Sequence, residues 1–313
     1  MAWLEITINT AGQGTSSVAS TLTAAGFSDL VIEDQNEFEA FLEDNRDYWD
    51  YIDEDLQQQL QGLSRVKLYL EDGDKANLAR LEELVTQLAL TMEVATLPEV
   101  DYEESWKDSY PPQPIGQKLI VLPYWLAEQD TAGRLPVILD PGLTFGTGAH
   151  PSTQMVMEAM EELVTPDCRC LDLGSGSGIL SIAALRLGAA GAVGVDIDPK
   201  AEDIARQNAA YNGFAAPEFT ALTGNVTADR TLMDRLAQDE YQILLVNIVA
   251  DVIIGLAPSL PHFMTENTRL ICSGILDSRL EDVRKALLAA GIQPLVVKQS
   301  EEWRCIIAER RNP

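Results

Sequence analysis

Residues 171–178 read Leu-Asp-Leu-Gly-Ser-Gly-Ser-Gly, and the next apolar stretch, Val193-Gly-Val-Asp196, ends in a carboxylate. An apolar strand that ends in a glycine turn, then a helix, then a second strand that ends in an acidic residue make a nucleoside-binding βαβ unit. The glycines let the backbone approach a ligand closely, and the carboxylate accepts hydrogen bonds from ribose hydroxyls. This stretch therefore predicts an α/β sheet that binds a nucleoside-type cofactor.

The spacing of the glycines distinguishes between cofactors. A dinucleotide fingerprint is Gly-x-Gly-x-x-Gly, but Ile179 stands where its third glycine belongs after Gly174 and Gly176. Gly178 instead completes Gly-x-Gly-x-Gly, which is typical of methyltransferases that use S-adenosyl-L-methionine (SAM), a cofactor without a pyrophosphate. We expect SAM; an NAD-linked oxidoreductase and a glycine turn without a ligand are the alternatives.

The net charge of the chain limits the classes of partner that it can bind. The formal net charge of the 313 residues is −27, which argues against direct binding of nucleic acid because phosphate backbones require a basic surface. The charge is compatible with a basic protein partner, and equally with an acidic surface that only maintains solubility.

Apolar runs, the N-terminal pattern and cysteine usage together predict the cellular compartment. No apolar run approaches the roughly 20 residues of a membrane span, and the N-terminus lacks the pattern of a signal peptide. Four cysteines without a Cys-x-x-Cys pair, and only two histidines, indicate reduced buried thiols rather than a metal site. We therefore expect a cytoplasmic protein without a metal.

The first 97 residues have the order β-α-β-β-α-β, which predicts a small ferredoxin-like α+β domain. Strands are expected at 4–8, 30–33, 65–70 and 92–97, and helices at 15–25 and 78–88. The domain shows no pair of nucleophile and base, so we interpret it as a substrate-recognition domain. An acidic insertion near 33–61 also carries aromatic residues; it is either a docking surface for a basic substrate or a surface segment packed on its own domain.

Residues 98–136 are rich in proline and predict a linker, and residues 137–313 predict the catalytic domain. Repeated βα units there indicate a Rossmann-like, doubly wound and mostly parallel sheet. Strands are expected at 168–173, 192–197, 217–222, 241–247 and 268–273, with helices beginning near 179, 200, 229 and 251. A last helix at 277–290 precedes a closing antiparallel pair at 293–298 and 304–308.

The segment Asp140-Pro-Gly-Leu-Thr-Phe-Gly-Thr-Gly-Ala-His-Pro-Ser-Thr153 is a glycine-rich loop that enters a helix. Ser152 and Thr153 are placed to cap that helix and to hold the methionyl carboxylate of SAM at its N-terminus. Phe145 is a further candidate for cofactor contact. His150 is either a catalytic base or a structural residue of the loop.

Two asparagines follow predicted strands, where doubly wound sheets bind their ligands. Asn247 ends the apolar stretch Gln242-Ile-Leu-Leu-Val-Asn247 and either orients the attacking amine or the cofactor, or simply caps the strand. Asn225, after Gly224, is a candidate for contact with adenine.

Together these residues resemble the PrmA family, the methyltransferases of ribosomal protein L11, over nearly the whole chain. The segments that match are 140–153, 171–180, 194–199, 208–213, 246–248, 273–276 and 302–303, with Trp106-Lys107 and 123–125 in the linker. The chain departs from the usual family pattern at Ala149, Ser152 and Val249, and in the length of its acidic insertion.

The resemblance implies a SAM-dependent N-methyltransferase that modifies lysine side chains and the N-terminal amine of the ribosomal protein. By position it implies Thr153, Gly174, Asp196 and Asn247 as the SAM-binding set. We expect a monomer. The alternatives are a methyltransferase of another protein or of a small molecule, and a non-catalytic SAM-binding factor in ribosome assembly. Adenine and glutamine methyltransferases are disfavoured because Asn-Pro-Pro-Tyr is replaced by Asn-Ile-Val-Ala at 247–250.

Overall fold

The structure, a computed structural model, describes residues 3–10, 14–27, 30–35, 62–97, 107, 110–142 and 148–311. The chain divides into two compact units, Met1–Asp108 and Ser109–Pro313. The first unit contains a four-stranded sheet, and the second contains a seven-stranded and a three-stranded sheet; their hydrophobic cores are formed by different residues.

The first unit has the ferredoxin-like order that the sequence predicts. Its elements are β1 (Trp3–Asn9), α1 (Thr15–Ala24), β2 (Val31–Asp34), β3 (Ser64–Glu71), α2 (Lys75–Gln87) and β4 (Thr91–Leu97). The four strands form an antiparallel sheet in the order β2-β3-β1-β4. The acidic insertion lies, from residue 36 to residue 61, outside the described residues.

One face of this sheet is apolar and covered. Ile6 and Ile8 of β1 alternate with polar residues, and they pack with Leu68 of β3 against Leu22 of α1 and Leu81 of α2. Burying such side chains stabilises the unit by about 1.5–3 kcal/mol each relative to exposure. The alternation of apolar and polar residues explains why the sequence predicts these strands.

The second unit is built on a seven-stranded sheet in the order β10-β9-β8-β11-β12-β14-β13. Its first elements are β5 (Gln113–Ile115), β6 (Leu119–Pro123), β7 (Leu135–Leu139), α3 (Pro151–Leu163), β8 (Arg169–Leu173), α4 (Ile179–Arg186), β9 (Gly191–Asp196) and α5 (Pro199–Tyr211). The later elements are β10 (Phe219–Thr223), α6 (Arg230–Leu236), β11 (Tyr241–Asn247), α7 (Ala250–Leu256), β12 (Met264–Leu276), α8 (Leu280–Ala289), β13 (Ile292–Ser300) and β14 (Trp303–Arg310).

Strands β10, β9, β8, β11 and β12 are parallel to one another, whereas β14 runs antiparallel between β12 and β13. Parallel strands covered on both faces are read in sequence as continuous apolar runs, and residues 243–246 of β11 are buried without a polar interruption. This sheet and the first unit confirm the predicted fold class.

A third, small sheet differs from the sequence prediction. Residues 113–123, which were expected within a linker at 98–136, form β5 and β6, and β6 pairs in parallel with β7. All five residues of β6 are buried in the second unit. The reason is the apolar run Leu119-Ile-Val-Leu122, whose burial outweighs the prolines and polar residues that surround it.

Glu161 of α3 holds the turn between β5 and β6. Its carboxylate accepts hydrogen bonds from the backbone N–H groups of Gln117, Lys118 and Leu119, at 2.8, 2.7 and 3.1 Å. A Cβ at Gly116, which has φ 53°, would lie 2.7 Å from this carboxylate. The turn therefore requires a residue without a side chain at position 116.

We expect Glu161→Ala to lower the free energy of unfolding of the second unit by about 1 kcal/mol or more, because three backbone donors lose a charged acceptor. Chemical denaturation measures this loss. The neighbouring Glu162 is exposed, so Glu162→Ala should leave stability nearly unchanged. Equal effects of the two substitutions would contradict the role assigned to Glu161.

No helix in the described part of the chain is both long and apolar enough to cross a bilayer.

Candidate cofactor-binding site

The parallel strands bring the predicted site residues to one edge of the large sheet. Leu173 of β8 lies opposite Val195 of β9 and Val246 of β11. The residues that follow these three positions are Gly174, Asp196 and Asn247. The carboxyl ends of adjacent parallel strands share one edge, so the structure places these three residues side by side.

The glycine turn has a backbone that only glycine adopts readily. Gly174, Gly176 and Gly178 have φ angles of 80°, 48° and 78°. A Cβ at Gly174 would lie 2.4 Å from Cγ2 of Ile248, and one at Gly178 would lie 3.0 Å from Cβ of Ala205. Both conformation and packing therefore require glycine, which adds a structural reason to the ligand-based one.

Asp196 is bonded to this turn. Its Oδ2 accepts a hydrogen bond from Gly176 N–H at 2.8 Å, and its Oδ1 accepts one from Asp198 N–H at 3.0 Å. Each carboxylate oxygen has a second acceptor direction. The residue thus supports the turn and retains capacity to accept hydrogen bonds from a pair of hydroxyls.

Asp172, two residues before the glycine turn, is a buried carboxylate that was not singled out from the sequence. It is 1% exposed, and its Oδ2 accepts hydrogen bonds from Ser181 N–H at 3.2 Å and Ser181 Oγ at 2.9 Å. Its Oδ1 is buried without a hydrogen-bond partner. Burial, opposed by Ser181 and reinforced by the charge of Asp196, raises the pKa of Asp172 to about 7. The available signal was a carboxylate between Leu171 and Leu173, inside an apolar strand.

Thr153 and Asn247 are in direct contact. The Asn247 side-chain amide donates a hydrogen bond to Thr153 Oγ1 at 3.1 Å, and Thr153 is 3% exposed. Asn247 Oδ1 is buried and has no partner. An unpaired buried acceptor is costly, so its presence at a strand end indicates a site for a donor from a ligand.

The prediction that Ser152 and Thr153 cap α3 is wrong. The N-cap is His150, whose Nδ1 accepts a hydrogen bond from Ser152 N–H at 3.2 Å. Pro151 occupies the first helical position, and a residue before proline takes the extended conformation that an N-cap requires; His150 has φ −69° and ψ 134°.

The capping role determines which ring nitrogen of His150 could act as a base. An Nδ1 that accepts from a backbone N–H is unprotonated, so the proton of the neutral ring is on Nε2. Partial burial lowers the pKa of His150, and the charges of Glu302 and Glu301 oppose that shift. The ring also contacts Trp303 edge-to-face at 4.5 Å. These contacts favour the structural alternative.

The remaining candidates have different outcomes. Asn225 is exposed, and its Oδ1 accepts hydrogen bonds from Thr227 N–H at 2.9 Å and Thr227 Oγ1 at 2.7 Å, which closes a turn after β10. Phe145 lies outside the described residues. Ile197, directly after Asp196, is 73% exposed; this apolar neighbour of Asp196 was not singled out from the sequence.

The four cysteines are buried and free. Burial raises the pKa of the thiols of Cys170, Cys272 and Cys305, the last to about 12. In the parts of the chain that the structure describes, no group of three or more His, Cys, Asp or Glu residues could hold a metal ion.

The doubly wound sheet with one antiparallel strand, the left-handed glycine turn and the carboxylate that ends β9 are those of a Rossmann-like, SAM-dependent methyltransferase. Residues 2–311 match the family model described as ribosomal protein L11 methyltransferase (PrmA). The chain belongs to this family. It is an enzyme, and SAM is its cofactor.

Individual relatives agree over their full length. The chain is 33% identical over 322 residues to the ribosomal protein L11 methyltransferase of Alkaliphilus oremlandii, which covers 99% of each chain. It is 34% identical to the protein of the same name in Alkaliphilus metalliredigens, covering 100% of this chain and 99% of the relative. The crystal structure of a ribosomal protein L11 methylase from Lactobacillus delbrueckii subsp. bulgaricus aligns with a TM-score of 0.58 and 28% identity, over 65% of this chain and all of that one.

The raised pKa of Asp172 predicts a pH-dependent cost in stability. Between the unfolded pKa of about 3.9 and the folded value of about 7, the native state binds a proton that the unfolded state has lost. The contribution of Asp172 to the free energy of unfolding therefore falls as the pH rises through this window. Asp172→Asn removes the ionisation, so we expect its stability relative to wild type to be higher at pH 8 than at pH 5.

Chemical denaturation at both pH values measures this difference. Asp203 is exposed, and Asp203→Asn serves as the control for the loss of a carboxylate. A difference between Asp172→Asn and wild type that does not change with pH would contradict the assignment.

Proposed function

We propose that this enzyme transfers methyl groups from SAM to amino groups of ribosomal protein L11, namely lysine side chains and the N-terminal amine. The observation that carries the proposal is the pairing of Thr153 with Asn247 beside the glycine turn, in a chain of the L11 methyltransferase family. This arrangement leaves the buried Asn247 Oδ1 as an unpaired acceptor.

The residues at this edge fit the chemical groups of SAM. Asp196 would accept hydrogen bonds from the ribose hydroxyls, and the exposed side chain of Ile197 offers apolar contact to adenine. The unpaired oxygens of Asp172 and Asn247 suit the methionyl ammonium group. The N-terminus of α3, with Thr153 in its first turn, suits the carboxylate. Bound SAM supplies an electrophilic methyl group.

The protein must also provide a neutral amine. A lysine amine has a pKa of about 10.4 and an α-amine a pKa of about 7.7–8.0, so most lysines are protonated at neutral pH. Burial of the amine disfavours its charged form and lowers its pKa. In this proposal the amine is buried and made neutral where it meets the methyl group of SAM, while Asn247 helps to hold the methionyl end of the cofactor. Methyl transfer then depends on positioning and on exclusion of water.

Substrate recognition falls to the first unit in this proposal. The face of its sheet opposite the apolar core carries the half-exposed aromatic residues Trp3 and Tyr69, with Glu5 bonded to Tyr69 and 3.9 Å from Lys67. Aromatic and acidic groups suit a basic protein surface, and the net charge of −27 supports the same partner. Cytoplasmic location, a monomeric state and the absence of direct nucleic-acid binding are parts of the same proposal.

The proposal predicts the mass of the product. Incubation of the purified enzyme with SAM and recombinant L11 should increase the intact mass of L11 in steps of one methyl group each. Asp196→Ala should abolish these steps, because it removes the acceptor for ribose and the support of Gly176. Asp203→Ala, at an exposed carboxylate on the same βα unit, is the matched control and should methylate normally.

Other outcomes identify the alternatives. SAM binding by calorimetry without any mass change in L11 would contradict L11 as the substrate and favour another acceptor or a non-catalytic SAM-binding factor.

The contacts of His150 predict that the residue is not a base. His150→Asn retains a side chain that caps helices well, so we expect methylation to stay within about threefold of wild type. The pH–rate profile should keep rising toward the pKa of the substrate amine in both proteins. A plateau near pH 6.5 in wild type that disappears in His150→Asn would instead establish His150 as the base.

A further inference from the structure

We infer that Asn208 is a positioning residue that joins the glycine turn at 174–178 to residues 140–142, which directly follow β7. The inference deepens the proposed function, since it rests on the assignment of the glycine turn to SAM. Asn208 lies on α5, the helix that follows Asp196, and it is 0% exposed.

Both ends of the Asn208 amide are engaged. Its Nδ2 donates a hydrogen bond to the carbonyl oxygen of Ser177 at 2.9 Å, and its Oδ1 accepts one from Asp140 N–H at 2.9 Å. A single side chain thus joins the middle of the glycine turn to the residue after β7. These two backbone groups are far apart in sequence, and the amide bonds directly to both of them.

The bond to Ser177 fixes the peptide unit between Ser177 and Gly178. Its carbonyl is held by Asn208, and its N–H donates to Ser175 O at 2.8 Å. Ala205, one turn earlier on α5, packs where a Cβ of Gly178 would lie. The same face of α5 therefore sets both the position and the orientation of this peptide.

The bond to Asp140 fixes the start of the second segment. With its N–H held by Asn208, Asp140 accepts a hydrogen bond from Gly142 N–H at its Oδ1, 3.0 Å away. These two bonds set the direction in which the chain leaves β7 at residues 140–142. Loss of the Asn208 amide would release this direction and the Ser177 peptide together.

Asn212, the C-cap residue directly after α5, provides a matched control. It is 6% exposed; its Oδ1 accepts hydrogen bonds from Ile138 N–H at 2.9 Å and Arg186 Nε at 3.2 Å, and its Nδ2 donates to the carbonyl oxygens of Ile138 and Asn208, both at 2.7 Å. These contacts hold β7 itself and touch neither the glycine turn nor Asp140. Asn212→Ala therefore removes a comparable buried amide without uncoupling the two segments.

The test is calorimetric titration of folded protein with SAM. We expect Asn208→Ala to raise the Kd for SAM by about tenfold, because a displaced glycine turn would lose about one hydrogen bond to the cofactor. Asn212→Ala should raise the Kd by no more than about twofold. Thermal unfolding, measured in parallel, should show similar losses of Tm for both. Equal changes in Kd at equal losses of Tm would overturn the inference.

Asn208→Asp adds a readout that general destabilisation does not produce. A protonated carboxyl group has one donor and one acceptor, like the amide, whereas the carboxylate cannot donate to Ser177 O. The ratio of its Kd to that of wild type should therefore fall toward one as the pH is lowered, while the ratio for Asn208→Ala stays constant. A constant ratio for Asn208→Asp would overturn the inference; a wild-type chain that does not bind SAM would overturn the proposed function itself.

Discussion

The parallel pairing of β9, β8 and β11 is the constraint on which the site depends. The pairing of Leu173 with Val195 and Val246 makes three loops leave the sheet at the same edge. At this edge Asn247, the last residue of β11, meets a residue distant in sequence: its Nδ2 lies 3.1 Å from Thr153 Oγ1. Alternate residues of β11 pack into two different cores, Ile243 and Leu245 on one face and Leu244 and Val246 on the other, and a shift by one residue would exchange these two sets. The chemistry of the edge is therefore set by the core beneath it.

The amino-acid pattern predicts what is local and periodic. Continuous apolar strands, a glycine turn and an acidic strand end are visible in sequence, so the fold class and the positions of Gly174, Asp196 and Asn247 were predictable. Glycine at 174 and 178 has a second cause that the motif does not reveal: the side chains of Ile248 and Ala205 fill the space that a Cβ would need. A glycine motif thus reports packing as well as a ligand.

Features that depend on tertiary contacts were not predictable in the same way. β5 and β6 stand among prolines, and only the burial of β6 in the second unit separates them from a linker. The capping of α3 by His150 was missed because Ser and Thr are the commoner caps, whereas Pro151 shifts the cap to the residue before it. The buried acceptor on Asp172 required knowledge of which groups surround it.

Methyl transfer from SAM requires precise placement of the two reactants more than it requires proton transfer by the protein. The hydrogen bonds of the candidate site agree with this requirement. Its acceptors are held by backbone donors and amides: Asp196 by Gly176 and Asp198, Asp172 by Ser181, and Thr153 by Asn247. The one imidazole in the segment is engaged in capping a helix. Rigid placement of acceptors around a reactive sulfonium is sufficient when the nucleophile arrives neutral. The surface that binds the substrate must then make the amine neutral by burying it. In the proposed function this recognition belongs to the first unit, and methyl transfer belongs to the second.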